Sequence, residues 1–207
     1  MCIRDSIYAA HDYLDKSVDY RYILGMHRDT LTSNGLDSYR RDIVDVQRLR
    51  AEAHVLKAYY YFELAKRYGG VPLIDRVYVD QKEANLPRGT FDEVVGLILR
   101  EIEGVRNELV VDWRAENLEE KSGRITRGAA LALKSRVLLY AASPQFNPSG
   151  EKSKWAAAAA AAFEVINMGI YSLHPDYGGL FVAETSTTSP ETIWAVRMGA
   201  TNEFERK

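Results

Sequence analysis

The chain has 207 residues, 46% of them apolar and 27% charged, with 27 basic against 29 acidic side chains and a formal net charge of −2. That is enough chain for one domain with a sizeable core or two small ones, in the composition range of globular proteins. Lys and Arg are scattered with no basic stripe, which argues against a nucleic-acid binder; no apolar run approaches the roughly 20 residues of a membrane span, and the single cysteine, Cys2, cannot form an internal disulfide.

Taken in chain order, the elements read as helices. Ile7, His11, Leu14 and Val18 recur at three- and four-residue spacing and predict a helix from Asp5 to about Leu24. Asn34-Gly35 marks a turn, and Ser38 is the expected N-cap of a long helix that runs to Tyr68. This helix carries two apolar stripes side by side. One is Ile43, Val46, Leu49, Ala53, Leu56, Tyr60 and Leu64; the other is Val55, Tyr59, Phe62 and Ala65. Two stripes predict neighbours on more than one side. In the row Tyr59 to Phe62, periodicity places Tyr60 and Phe62 in the core, and places Tyr61 on the side of Lys57, near the surface. Gly69 or Gly70 is the expected left-handed C-cap, and Pro72 prevents a restart.

Thr90 and Glu93 form a T-x-x-E capping box, followed by Val94, Ile98, Ile102, Val105 and Leu109 on one face of a helix over Phe91 to Leu109. A polar loop with Trp113 follows. The next helix spans Arg127 to Ala142, and Pro144 and Pro148 close it, with Phe146 and Asn147 fixing the turn. A last helix is predicted over Lys154 to Met168, with Trp155, Ala159, Ala162 and Ile166 on one face. The stretch ETIWAVRMGA then alternates as a strand does. Trp155 and Trp194, in regular elements, are expected in the core. The helix starts keep no fixed period, unlike a tetratricopeptide array of roughly 34-residue repeats. The expected fold is therefore mainly α, with irregular, tetratricopeptide-like helix pairs and the start of a short strand near the C-terminus.

The stretch RAEAHVLKAYYYFELAKRYGGVPLI from Arg50 to Ile74 resembles the signature of the SusD/RagB family, which reads E-A-x-F-L-R-A-x-x-Y-F-x-L-x-x-x-[FY]-G-x-V-P-L. Glu52, Ala53, Ala58, Tyr61, Gly69, Gly70 and Pro72 carry the match. Val55 stands where Phe is common and Lys57 where Arg is usual. ITRGAALALKSRVLLYAASPQFNP, ending on Asn147-Pro148, resembles the next family block. WAAAAAAAFEVINMGIYSLHPDYGGLF and SPETIWAVR resemble the third and fourth. The blocks come in family order from Glu52 to Arg197, while residues 1–45 match weakly. The chain thus reads as one partial SusD/RagB-like helical domain over 1–207.

The resemblance implies a surface lipoprotein of the outer membrane in Bacteroidota-type bacteria. Such a protein captures a nutrient, most often a glycan and sometimes a peptide, for a SusC-like TonB-dependent transporter. It implies a binding protein rather than an enzyme, with no cofactor, no nucleic acid, and membrane contact only through a lipid anchor. The family anchors through a cysteine after an export signal. Here Cys2 directly follows Met1, and MCIRDSIYAA has no apolar segment, so the reading expects a piece of a longer protein without its signal peptide and most of its C-terminal half.

His11, His27, His54 and His174 lack metal-ligand spacing, and no G-x-S-x-G, P-loop or dinucleotide-binding glycine pattern occurs. Glu52 and Lys57, five apart, are poorly placed to pair with each other, so each is expected to bond another helix or a loop. Trp113, in a polar loop, reads first as a lid over a helix end and second as a platform for a sugar's C–H face. Tyr78 in DRVYVDQ is a weaker ligand candidate. The competing reading is a helical-repeat module that binds another protein and no sugar.

Overall fold

The computed structural model describes residues 3–19, 30–78, 85–113, 115–116, 123–182 and 189–195. Among these, five α-helices follow in order: α1 (Ile3–Lys16), α2 (Ser33–Tyr68), α3 (Phe91–Val105), α4 (Arg127–Ala142) and α5 (Lys152–Asn167), with a short 3-10 turn at Gly178–Phe181. No strand occurs among the described residues. Residues 189–195 form turns and irregular chain rather than the expected strand, and the rest of that segment lies outside the described residues.

Consecutive helices pack as neighbours, and α2 sits centrally, touching α1, α3 and α4. The seams between consecutive helices run antiparallel, whereas α2 and α4 run parallel, with Glu52 beside Arg124 and Phe62 beside Tyr140. On the α1 seam, Arg50 of α2 donates to the Leu14 carbonyl at 2.7 Å and also bonds the Ser17 hydroxyl, so it caps the end of α1. On the α3 seam, the end of α2 lies beside the start of α3. A Cβ on Gly70 would stand 1.9 Å from the Gly89 carbonyl oxygen, so only glycine permits this approach. Gly69 is the C-cap with φ +71° and ψ −124°, so the positive φ expected at Gly69 or Gly70 is present but the left-handed helical conformation is not. Arg88 then donates to the Gly70 carbonyl at 2.9 and 2.7 Å and at 2.5 Å to that of Tyr68, so it satisfies the carbonyl end of α2.

The helix starts follow from their caps. The Thr90–Glu93 box is formed in both directions, with Glu93 N–H to Thr90 Oγ1 at 3.2 Å and Thr90 N–H to Glu93 Oε2 at 2.7 Å. Thr126 caps α4 by accepting from Ala129 N–H. The α2 cap differs from expectation. Thr32, not Ser38, accepts from Gly35 N–H, and Asn34-Gly35 lies inside the first helical turn. Thr32 takes the cap six positions earlier, so a side-chain cap starts the helix through a stretch of low helix propensity, and the Asn34-Gly35 pair does not turn the chain.

The core is built from α1, α2, α3 and α4. Ile7, Val55, Ala58, Tyr61, Phe62, Val94, Ile98, Ile102 and Val137 are each at most 1% exposed. The predicted faces of α1 and α3 are correct: Ile7, His11 and Leu14, and Val94, Ile98, Ile102, Val105 and Leu109, are all buried. Val18, by contrast, lies past the end of α1 at 67% exposure. On α2 the narrower stripe is the core one. Val55, Phe62 and Ala65 are buried, whereas Leu49 is exposed and Leu56, Tyr60 and Leu64 are half-buried.

Two further expectations fail on α5. Ala158 and Ala161 face α4, while Trp155 is 47% and Ile166 69% exposed. A run of seven alanines carries no polar contrast, so periodicity has nothing to report there. Trp194, by contrast, packs edge-on against Tyr59 with ring centroids 5.5 Å apart, against the core.

Candidate functional site

The signature helix α2 buries three polar side chains, and each is tied to a different part of the fold. Glu52, 7% exposed, accepts from Arg124 Nε at 2.9 Å and Nη2 at 2.6 Å, in the segment leading into α4. Arg124 also reaches Asp45 at 3.0 Å. Lys57, 6% exposed, meets Glu101 Oε1 of α3 at 2.8 Å. His54 Nδ1 lies 2.6 Å from the other oxygen of the same carboxylate. Tyr61, fully buried, accepts from Ile74 N–H at 2.8 Å and donates to the Ile74 carbonyl at 3.3 Å.

These ties explain the residue types of the motif. A carboxylate, a cation and a phenol on one helix each need a partner once water is gone. The expected partnerships of Glu52 and Lys57 with other elements are present. The expected surface position of Tyr61 is not: its ring is completely enclosed. Lys57 does not mark the solvent side, because Glu101 pairs with it and lets that side of the helix enter the core. Burying such a ring stabilises by about 2 kcal/mol.

The electrostatics follow from burial. Burial pushes the Tyr61 hydroxyl up to about 12, against the Ile74 backbone bond. Burial works to raise Glu101, but hydrogen bonds from His54 and Lys57 outweigh it and hold the carboxyl below its ordinary value. Glu52 and Arg124 both shift upward, which disfavours the charged form of Glu52 and favours that of Arg124. Burial raises Glu52 despite its Arg124 bonds, whereas for Arg124 the bonds to Glu52 and Asp45 overcome burial and raise the guanidinium. With two guanidinium nitrogens within 2.9 Å of one carboxylate oxygen, the geometry is that of a charged pair.

The remaining signature residues shape the backbone or fill small spaces. Ala53 and Ala58 are buried, at 8% and 0% exposure. Pro72, half-buried, lies in the extended segment after Gly69 and Gly70. Asn147, 3% exposed, accepts from Glu151 N–H at 2.9 Å and donates to the Glu151 carbonyl at 3.1 Å. It therefore clasps the turn from α4 to α5, with Pro148 next in the chain. Phe146 stacks on Phe91 with centroids 3.5 Å apart. As the sequence suggested, this pair of residues fixes the turn.

The two ligand candidates are separated in the fold. Trp113 is 2% exposed, with the Arg124 guanidinium 4.5 Å and that of Arg48 5.6 Å from its ring centroid. Arg48 is itself held by Glu116 at 2.7 and 3.0 Å. A sugar stacks only on an open ring face, and at 2% exposure Trp113 offers none. Tyr78 is half-buried, bonds Asp75 through its hydroxyl at 2.5 Å, and has Arg76 5.1 Å from its ring centroid. The open ring faces lie elsewhere: Tyr177 and Phe181 are 77% and 74% exposed and meet edge-on at 5.4 Å, and Trp155 stands outward on α5. Tyr177 and Phe181 are not singled out in the sequence, because they lie in a turn-rich link where no periodicity or motif sets them apart.

Comparison with known proteins agrees with this architecture. A family model for SusD-like proteins, described as starch-binding and associating with the outer membrane, matches residues 25–139, more than half of the chain. A solved SusD homolog from Bacteroides thetaiotaomicron superposes with a TM-score of 0.70 over 97% of this chain and 36% of its own, at 23% identity. A SusD-like protein from Bacteroides fragilis gives 0.63 over 78% of this chain and 29% of its own, at 29% identity. Surface glycan-binding protein A from Bacteroides uniformis gives 0.63 over 91% and 35%, at 21% identity. The chain thus spans about a third of the length of these solved relatives. No curated protein matches its sequence. A helical scaffold tied together by the polar residues of its signature helix, and a family match over residues 25–139, lead to one conclusion: this chain belongs to the SusD-like family.

Proposed function

We propose that the protein to which this chain belongs captures a glycan at the bacterial cell surface and passes it to a SusC-like TonB-dependent transporter. The observation that carries this reading is the family match over residues 25–139, to a family described as starch-binding and outer-membrane-associated. A laminarin-binding SusD-like protein and two surface glycan-binding proteins are among the similar folds, which adds support of the same kind. The helical part acts as a rigid support, because the polar residues of its signature are spent on internal ties. It performs no reaction, needs no cofactor, and reaches the membrane through a lipid anchor. Tyr78 is the proposed ligand contact within these residues, at the rim of the core.

Affinity electrophoresis tests the binding step. Migration in a gel containing starch is compared with migration in a gel without polysaccharide, for the longest product of the reading frame. Retardation by starch, or by another soluble glycan in a panel, supports capture. Unchanged migration across the panel removes the glycan and leaves the helical-repeat reading with a protein partner. Co-purification with a TonB-dependent transporter tests the delivery step, and its failure under conditions where glycan is bound removes that step alone.

A further inference from the structure

His11 lies on the inward face of α1 and is 5% exposed. Its Nε2 is buried without a hydrogen-bond partner among the described residues. A neutral imidazole tolerates this as one unfilled acceptor site, but an imidazolium has donors at both nitrogens and needs an acceptor at each. Nothing is placed to serve Nε2, and the charge acting most strongly on the ring is the Lys57 ammonium. Glu101 is already shared between Lys57 at 2.8 Å and His54 at 2.6 Å, so both of its oxygens have partners.

The groups facing His11 come from four elements. Asp15 lies on α1, Lys57 on α2 and Glu101 on α3; Asp75 and the Ile74 backbone belong to the segment after α2. Asp15 and Asp75 are exposed, so water screens them more than it screens the buried Lys57. Burial first, and then Lys57, hold the ring below the ordinary histidine value, against the pull of the Ile74 backbone, Glu101 and Asp15.

We propose that the seam between α1 and α2 is an acid-sensitive latch, in which neutral His11 seats α1 beside Lys57 and protonated His11 unseats it. The folded ring titrates below the unfolded value of about 6.5, so the unseated state binds the extra proton. The latch is therefore at full strength above about pH 6.5 and weakens as pH falls through that value, levelling only at the folded pKa. Unseating would uncover Ile7, Ala10 and Leu14, an apolar face that no longer has α2 to cover it.

Hydrogen exchange on the whole chain tests the latch. After correction for intrinsic rates, protection of α1 is expected to fall about tenfold between pH 7.5 and pH 5.5, the ratio set by a histidine protonated only in the open state. Protection of α3 is expected to stay constant. An equal drop in every helix, or no drop in α1, would overturn the proposal. In His11→Gln the α1 drop is expected to vanish, and its persistence would count against the latch. Should that variant fail to fold, the wild-type imidazole resonance decides: a midpoint for seated His11 at or above about 6.5 would overturn the idea, and one well below it agrees.

Discussion

Around α2 the helices are joined by buried charge and hydrogen bonds: Glu52 to Arg124, Lys57 to Glu101, Tyr61 to Ile74. Between α4 and α5 the α5 side of the seam is alanine: Ala158 and Ala161 are the buried residues of that helix. The first kind of seam accepts one register, because any slip leaves a charge without its partner. The second depends on small side chains that let two helices come close, and alanine alone does not say which way α5 is turned. Its ends supply that information. Asn147 clasps the incoming turn, and a ring of ion pairs joins Lys134 to Glu164 at 2.6 Å and to Glu103 at 2.7 Å, with Arg106 bridging the same two carboxylates. At the far end the Tyr171 ring fills the space above Gly128, where a Cβ would stand 2.0 Å from its hydroxyl oxygen.

The comparison can be broken at either seam. The largest effect is expected at the charged one. Glu52→Ala leaves the half-buried Arg124 with Asp45 alone and should cost about 3 kcal/mol in urea unfolding. A cost below about 1 kcal/mol would mean that Glu52 behaves like a surface carboxylate, and the contrast would fail. The same variant should leave glycan affinity unchanged in the folded protein, since Glu52 is tied inside the scaffold. Next comes Ala161→Leu, which overfills the alanine seam and should cost about 2 kcal/mol. Tyr61→Phe keeps the ring and loses both bonds to Ile74. It should cost about 1 kcal/mol, and a stability gain would show that the hydroxyl is not a tie. The smallest effect is expected at Ala160→Leu, next in sequence to Ala161 but outward on α5, within about 0.5 kcal/mol of the parent. Equal losses at 160 and 161 would show that α5 is turned otherwise.

How much could be read in advance varied from one helix to the next. The inward faces of α1 and α3 were legible because polar residues separate their apolar ones at helical spacing. Thr90 and Glu93 announced the start of α3, and Arg127 and Ala142 bound α4 as expected. The internal ties of Glu52 and Lys57 were legible in kind, since a pair five apart on a helix must look elsewhere, but not in partner. Arg124 stands 72 positions from Glu52, beyond the reach of any local pattern. Trp113 showed only that a large ring sat in a polar loop. That two cations from elsewhere would stand over its ring was decided by where Arg48 of α2 and Arg124 of the segment before α4 arrive in space.

The order of the helices, most of their caps, the glycines after α2 and membership of the SusD-like family are written in the residues themselves. They rest on local rules: backbone conformations that only glycine adopts easily, donors that the first helical turn leaves open, and a spacing of three to four. Which side of α2 faces inward, that Tyr61 and Lys57 lie inside, and how α5 is rotated belong to the assembled chain. A charged residue is buried only when a distant partner arrives to neutralise it, and a run of alanine shows no preferred side until a neighbouring helix covers one.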